Sequence, residues 1–373
     1  MEPREHARAE AQSRTSPGRR WLTGLARTAL GVALLAALIV WGQIDLRALL
    51  ELTPSAVVIC FALLLVSLPI AALRWAVLLQ VVGVSLRFMD LLHFVAIGVL
   101  ANVLLLGSIG GDAIRGLYAW RALGRSGGRI AVSVFADRLL SVLAALFITL
   151  AFSLLYWHRM QQVPALAALG TSIIAAAATS MVGAGVLFAV PNLTRPLEAR
   201  LLRWPRAARL VAELREMILM LRTSPLALLA AFALVLVTQI LAVFAVVVVA
   251  ETLKIGALSA ADYMFVVPLT LVANALPLTP SGLGVGEAAF DQICRWLEPT
   301  PSGAAYSSIF FAFRLISTLT CIPGLISLAI YRNSSRAGST SEVAPGCDNM
   351  ETHRAPAFRT RSSTDRQGST AKL

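Results

Sequence analysis

Charged residues are scarce in this sequence of 373 residues. Asp, Glu, Lys and Arg make up 14% of it, whereas hydrophobic residues make up 57%. A soluble domain has about 25% charged residues, and several apolar runs here exceed the ~18 residues that are needed to cross a bilayer. The scarcity of charge therefore excludes an ordinary soluble domain. It predicts an all-α integral membrane protein that crosses the bilayer several times.

Cysteine is also rare, and motifs for metal or nucleotide binding are lacking. The four cysteines are Cys60, Cys294, Cys321 and Cys347, and their spacing is not that of metal ligands. The sequence has no nucleotide-binding glycine-rich loop and no His-Glu-x-x-His pattern. We therefore expect no cofactor, no metal site and no disulfide framework.

The net charge of +12 comes mainly from arginines in the two tails and in two loops. This distribution is the positive-inside bias of a bacterial-type inner-membrane protein. It is not the pattern of a nucleic-acid-binding surface, so we expect no nucleic-acid partner. We predict a multi-pass protein of the cytoplasmic membrane with both termini in the cytoplasm.

Eight hydrophobic segments are predicted within a transmembrane domain at residues 21–332. They lie at about 22–42, 55–82, 88–106, 130–156, 164–190, 225–250, 261–278 and 305–331. The flanking tails, 1–20 and 333–373, are polar and have no apolar periodicity. We predict that both tails are disordered.

Two stretches of the chain, about 170 residues apart, share one pattern. Asn102 corresponds to Asn274 at an offset of 172, and Arg138 corresponds to Arg314 at an offset of 176. Each stretch contains a glycine-rich turn between these two residues. We therefore predict an internal duplication, with repeat one at about 22–156 and repeat two at about 164–331, a pattern typical of transporters.

The basic loops favour one of two topologies. If all eight segments cross the membrane, the basic loops 107–129 and 191–224 lie outside, against the positive-inside bias. If the third segment turns back at 106–111 and the seventh at 277–284, both loops lie in the cytoplasm. This second topology has six spans, two re-entrant hairpins and an inverted duplication. Eight plain spans in a parallel duplication is the alternative.

Both turns are candidate cavity linings, because irregular backbone at membrane depth needs protein or water to satisfy its polar groups. The short helix after each turn, which begins at Asp112 in repeat one, would aim free N–H groups at an anion. Alternatively, Asp112 only caps its own helix and the glycines only allow the turn. The candidate residues at the two turns are Gly110, Gly111, Asp112, Pro277, Pro280, Gly282, Gly284 and Glu287.

Three arginines lie within apolar segments, where a charge costs roughly 2.5–3.5 kcal/mol. Arg74 lies near the end of its segment, where it either snorkels to the interface or binds a ligand. Arg138 and Arg314 hold equivalent places in the two repeats. They either bind a phosphate with the guanidinium fork or form internal ion pairs. The partners in those pairs would be Asp112 and Glu287.

Two asparagines, Asn102 and Asn274, precede the two turns by similar distances. A side-chain amide can tie down the backbone groups that a broken helix frees. We therefore expect a structural role for both, within the candidate site.

The sequence resembles the lysylphosphatidylglycerol synthase transmembrane region family, the flippase-like domain, over about residues 20–332. It departs from the family at Leu106, where proline is common, and at Ser281, where glycine is common. The residues that support the resemblance are Leu73-Arg74-Trp75, Asn102, Gly110-Gly111-Asp112, Arg115, Asp137-Arg138, Asn274-Ala275-Leu276-Pro277 and Pro280 through Glu287.

The resemblance implies a protein that moves or binds lipids with polar headgroups, such as aminoacylated phosphatidylglycerol or isoprenoid-linked lipids. It adds Arg115 and Asp137 to the candidate substrate-binding residues. In full-length synthases a soluble acyltransferase-like domain makes the lipid, and the polar tail of about 40 residues here is too short for such a domain. We predict a lipid flippase or lipid-binding transporter whose partners are membrane lipids, with a separate lipid synthase or glycosyltransferase as a further partner.

Two other classes of function stay open. One is an intramembrane lipid-modifying enzyme in which Asp112, Asp137 and Glu287 act as acid–base groups. The sequence argues against an enzyme, because it has no obvious nucleophile with an adjacent base. The other is a membrane scaffold that supports a separate lipid synthase.

Overall fold

The computed structural model describes most of the predicted transmembrane domain. The described residues are 29, 32–40, 44–45, 47–104, 108–124, 127–189, 219, 222–275, 279, 282–298 and 304–340, and they contain helices and connections but no strand. The chain divides into two units, Met1–Tyr331 and Arg332–Leu373. In the second unit, residues 332–340 are helical. The predicted tail 1–20 and the part of the C-terminal tail beyond residue 340 lie outside the described residues.

The helices of the described residues follow the predicted apolar segments closely. A helical stretch at 32–40 comes first. The main helices are then α1 (Pro54–Val81), α2 (Phe88–Leu104), α3 (Ser108–Leu123), α4 (Gly127–Leu155), α5 (Pro164–Ala189), α6 (Pro225–Leu253), α7 (Ala260–Ala275), α8 (Val285–Leu297), α9 (Ser307–Thr318) and α10 (Ile322–Thr340). Short helical turns lie at Ala48–Glu51, Trp157–Met160 and Leu319–Cys321.

Local sequence signals set the ends of the two central helices. The Thr53 hydroxyl accepts a hydrogen bond from the Ala56 N–H at 3.4 Å, and Pro54 occupies the first turn of α1. Proline is favoured there because that N–H has no helical partner. Helix α6 begins with a proline in the same way, and it ends at Lys254, whose φ of 50° is left-handed. A left-handed residue is a common way to end a helix.

Four helical stretches are long and apolar enough to cross a membrane. They are Pro54–Val81, Gly127–Leu155, Pro225–Leu253 and Ser307–Tyr331. The last stretch is interrupted by a 3₁₀ turn at Leu319–Cys321. Pro323 explains the interruption, since proline offers no N–H to the carbonyl four residues earlier. These four stretches show a multi-pass membrane protein, while the predicted total of eight segments and the two re-entrant hairpins stay predictions.

Helices α2 and α3 pack closely against each other, and α3 begins at a different residue from the one predicted. Helix α3 begins at Ser108, not at Asp112, so Gly110 and Gly111 lie in its first turn instead of in the connecting turn. A side chain at Gly111 would collide with the Gly98 carbonyl and with Asn102. Glycine is therefore needed at position 111 so that α3 can pack closely against α2. Helix α3 can begin before Asp112 because Asp112 is not its N-cap.

The two repeats contact each other through equivalent elements. Helices α1 and α6, which correspond at an offset of 171, share the most extensive helix–helix contact. Helix α7 of repeat two packs against α4 of repeat one, and α2 of repeat one packs against Leu319–Cys321 of repeat two. Each hairpin thus contacts the last long helix of the other repeat, which positions the polar residues described next.

Candidate functional site

A carboxylate buried in α4 lies between two arginines of other helices. Arg74 of α1 binds Asp137 with two nitrogens, Nε to Oδ1 at 2.5 Å and Nη2 to Oδ2 at 3.1 Å. Arg115 of α3 donates from Nη2 to Asp137 Oδ2 at 2.7 Å. Arg74 also reaches Thr238 of α6 at 3.5 Å. Asp137 therefore ties three helices of repeat one together, and Arg74 does not snorkel.

The ion pairs continue from Arg115 to the groove between α3 and α4. Arg115 Nη2 lies 3.1 Å from Asp112 Oδ1, and Arg138 Nε donates to Asp112 Oδ2 at 2.5 Å. Three guanidinium groups and two carboxylates are thus joined, which leaves one formal positive charge. We call this set the arginine–aspartate network. It consists of Arg74, Arg115, Asp112, Asp137 and Arg138.

Burial of the network increases toward Asp137. The side chains of Arg74 and Arg115 are 9% and 7% exposed and that of Asp137 is 4% exposed, whereas that of Arg138 is 37% exposed. The Arg115 guanidinium also lies 5.0 Å from the centroid of the Trp75 ring, a cation–π geometry. The network is thus buried at Arg74, Arg115 and Asp137 and partly exposed at Arg138.

Repeat two contains a smaller polar cluster at the equivalent place. Arg314 of α9 pairs with Glu287 of α8 through Nε and Oε1 at 2.5 Å. Its Nη2 donates to Asn274 Oδ1 at 2.9 Å and to the Gly282 carbonyl at 3.2 Å. Glu287 Oε2 also accepts from the Gly284 N–H at 2.8 Å. The carboxylate of Glu287 therefore occupies the N-terminus of α8. The sequence predicted that an external anion would bind there.

Both ion pairs that sequence analysis names as one alternative are present, since Arg138 binds Asp112 and Arg314 binds Glu287. The two asparagines also lie in their hairpins. Asn102 Oδ1 accepts from the Gly111 N–H at 3.0 Å, and Asn274 Oδ1 accepts from Arg314. Contact of the arginines with a lipid headgroup stays a prediction.

The buried half of the network has no polar counterpart in repeat two. At the offset of 175 that relates Asp112 to Glu287, Arg115 corresponds to Phe290. At the offset of 176 that relates Arg138 to Arg314, Asp137 corresponds to Phe313. At the offset of 171 that relates α1 to α6, Arg74 corresponds to Ala245. Phe290, Phe313 and Ala245 are all buried in the apolar core. The ring of Phe290 stacks on that of Phe310, with 5.3 Å between the ring centroids. Repeat two therefore fills with hydrophobic side chains the volume that repeat one fills with charges.

An apolar groove of about 710 Å³ runs between α3 and α4, and Asp112 and Arg138 are the charged residues in its lining. Its size is within the range of small-molecule sites. Apart from that ion pair its lining is apolar or aromatic. The lining residues are Asp112, Ala113, Gly116, Leu117, Trp120, Gly127, Ile130, Ala131, Val134, Phe135, Arg138 and Val142.

The groove was not predicted from the sequence, although the spacing of its lining residues indicates one helix face. Seven of the lining residues lie on α4, from Gly127 to Val142, at spacings of one, three or four residues, which place them on one helix face. The buried partners Trp75 and Ser133, joined by a hydrogen bond of 3.1 Å, were also not predicted as part of the site. Pro277 and Pro280, predicted for the second turn, lie outside the described residues.

The fold and the site together define a class, that of a multi-pass helical membrane protein with charges buried among its spans. Such charges are rare and mark functional sites. The profile of the family Lysylphosphatidylglycerol synthase TM region matches residues 28–324, and the chain belongs to this family. The resemblance that was suspected from the sequence is thereby confirmed. No curated protein sequence matches the chain.

Proposed function

We propose that the protein is a lipid flippase or lipid-binding transporter of the cytoplasmic membrane. Its family indicates a membrane protein involved in lipid handling. The observation that supports a transporter best is the groove between α3 and α4, whose lining is apolar apart from the Asp112–Arg138 pair. Acyl chains suit the apolar lining, and a polar headgroup suits the Asp112–Arg138 pair. Membrane lipids are therefore the proposed partners, together with a separate lipid synthase or glycosyltransferase that supplies them.

The buried carboxylates argue against the intramembrane enzyme. Asp137 receives hydrogen bonds from two arginines, and its side chain is 4% exposed. Glu287 is fully buried against Arg314 and the Gly284 N–H. A general acid or base must lie within hydrogen-bond reach of the substrate. These two carboxylates instead hold helices together.

The transport proposal predicts that fluorescent phospholipids cross the bilayer of vesicles that contain the protein. Dithionite added outside such vesicles should then bleach nearly all of the label, whereas it should bleach only the outer leaflet of protein-free vesicles. Ala131→Trp fills the groove from an exposed lining position and should return the rate to that of protein-free vesicles. Ala122→Trp, exposed on α3 and outside the groove, is the matched control. Equal rates for both variants would exclude the groove as the transport path.

The re-entrant topology is part of the same proposal. Helices α2 and α7 have 17 and 16 residues, which gives lengths of about 24–26 Å. The hydrocarbon core is about 30 Å thick. Such short helices suit hairpins that enter and return on one side, and the proposed topology has the basic loops and both termini in the cytoplasm.

The topology predicts where single cysteines can be labelled. In a variant without the four native cysteines, Arg121→Cys and Arg206→Cys should resist an impermeant maleimide in intact spheroplasts and react after permeabilisation, because both loops face the cytoplasm. Glu51→Cys, which lies between the first and second hydrophobic segments and is therefore outside in this topology, should react without permeabilisation. Reaction of Arg121→Cys in intact spheroplasts would contradict the re-entrant third segment.

A further inference from the structure

We propose that the 3₁₀ turn at Leu319–Cys321 is a hinge between two bodies of the protein. The first body consists of α2, α3 and the part of α10 up to Tyr331, and the second body consists of α7, α8 and α9. Each body keeps its internal contacts while the angle between α9 and α10 changes. This inference rests on the proposed function only for the role of the motion, which would open and close a path for the lipid.

Helix α9 is fixed to both other helices of the second body. Arg314 of α9 binds Glu287 of α8 and accepts a further anchor in Asn274 of α7, whose Oδ1 lies 2.9 Å from Arg314 Nη2. Phe310 of α9 also stacks on Phe290 of α8, with 5.3 Å between the ring centroids. Polar and aromatic contacts therefore hold α7, α8 and α9 together on one side of the turn.

Helix α10, on the other side of the turn, is fixed to the first body. A side chain at Gly324 would collide with the Ala96 carbonyl of α2, so the two helices approach closely there. One turn from its contact with α2, the ring of Tyr331 packs edge-on against Phe94 of α2 and Tyr118 of α3, with 5.6 Å between the centroids in both pairs. The two halves of the stretch Ser307–Tyr331 thus belong to different bodies.

The turn between the two halves satisfies its own polar groups. Pro323 has no N–H to donate to the Leu319 carbonyl, and the Ile322 N–H donates to that carbonyl instead. The Thr320 hydroxyl donates to the Ser317 carbonyl at 2.6 Å. Hydroxyl groups that bond back to the preceding turn often bend helices. These hydrogen bonds all lie within the stretch itself, so a change of angle there does not need to break one that joins two helices.

Few contacts oppose a relative movement of the two bodies. In the described part of the chain, no extensive contact joins α2 or α3 directly to α7 or α8, whereas the turn itself packs against α2. Leu319 and Ile322 at the turn are 43% and 46% exposed, so they can move without repacking the core. Asp137 ties α3 to α1 and α4 through buried ion pairs, so we expect the second body to move and the first to stay.

Helix α4 provides a contrast within the same chain. The predicted duplication relates it to the stretch Ser307–Tyr331 at an offset of 176, at which the turn corresponds to residues 143–145 and Pro323 corresponds to Phe147. Helix α4 is continuous through these residues. Helix α7 therefore packs against an unbroken helix, whereas α2 packs against an interrupted one. The interruption is a feature of the last apolar stretch and not of long helices in this protein generally.

The test is a measurement of distances between spin labels by double electron–electron resonance, on the purified full-length protein in lipid nanodiscs. In a variant without the four native cysteines, Arg121→Cys on α3 and Gln292→Cys on α8 form the pair across the hinge. Arg121→Cys and Leu325→Cys on α10 form the pair within the first body, and all three positions are exposed. We expect two distances or a broad distribution across the hinge and one narrow distance within the body. One narrow distance for both pairs would overturn the inference.

Pro323→Ala locates the motion at the turn. Alanine restores the N–H that a continuous helix needs, so the pair across the hinge should show one narrow distance. Lipid movement across the bilayer should slow about tenfold, because hinge residues limit such motions. Pro69→Ala removes a proline from inside the continuous helix α1 and should change neither result. Equal distances in wild-type and Pro323→Ala proteins would overturn the assignment. If Pro323→Ala does not fold, the wild-type distances decide.

The outcomes for this inference and for the proposed function are distinct. Two distances across the hinge, without movement of lipid in vesicles, would refute transport and leave the hinge in place. Movement of lipid by a protein with one rigid distance across the hinge would overturn the hinge and leave the flippase in place. A broad distribution for the pair within the first body would also overturn the inference, because α10 would then not move with α3.

Discussion

Asp137→Ala is expected to lower the free energy of unfolding by about 3–5 kcal/mol, the cost of breaking a buried ion pair. The reason is that Asp137 neutralises Arg74 and Arg115 together, and both arginines are buried. Removal of the carboxylate leaves two guanidinium groups without a full counterion between α1, α3 and α4. The measurement is the midpoint of thermal unfolding in detergent, with the fraction of monodisperse protein as a second observable.

Two further variants make this prediction specific. Asp262→Ala removes an aspartate that is equally buried but accepts hydrogen bonds from the Ser259 N–H and hydroxyl, so it should cost only about 1 kcal/mol, as for loss of a helix cap. The triple change Arg74→Met, Arg115→Met, Asp137→Leu replaces the whole buried triad with hydrophobic residues. It should recover most of the stability, because such replacements are often neutral or stabilising. A single Asp137→Ala variant as stable as Asp262→Ala would show that the network does not hold the helices.

Gly282→Ala is expected to destabilise the protein strongly for a change of a single methyl group. Gly282 has a φ of +68°, where a side chain costs about 1–2 kcal/mol. Its new Cβ would also collide with the side chain and the carbonyl of Asn274. Displacement of Asn274 removes the acceptor of Arg314, which adds about 1.5–3 kcal/mol for a hydrogen bond to a charged group. Thermal unfolding should report the sum of the two effects.

Gly124 provides a control for Gly282, because it has a similar left-handed backbone but no neighbour with which a side chain would collide. Gly124 has a φ of +64°, yet a side chain there would meet nothing within 4 Å. Gly124→Ala should therefore show only the cost of the left-handed backbone, which is about 1–2 kcal/mol. If both variants lose the same stability, Asn274 moves aside freely and the second hairpin is not held rigidly by its polar contacts.

The hydrophobic segments were predictable because they depend on local sequence, whereas the internal duplication stays a prediction. Apolar runs determine where a helix can lie in a bilayer, and helices α1, α4 and α6 begin within about three residues of the predicted segments. The ion pairs of Arg138 and Arg314 were predictable as one alternative, since the repeat places each near an acid.

Other parts of the site depend on helices that are distant in sequence. Nothing in the sequence pairs Arg74 with Asp137, 63 residues away, and the snorkelling alternative was equally compatible with its position. The start of α3 at Ser108 was also unpredicted. Gly110 and Gly111 indicate a turn when only the local sequence is considered, whereas both lie in α3 and Gly111 lets this helix lie close to α2.

The sequence by itself determined that this is a multi-pass helical membrane protein of a lipid-handling family, because hydropathy and motif spacing are local properties. Only the tertiary structure decided which charges meet. It joined Arg115 to both Asp112 and Asp137, sealed one end of the network and left Arg138 open to an apolar groove. The physical reason is that burial and ion pairing depend on how the faces of separate helices pack, which a local sequence pattern does not specify.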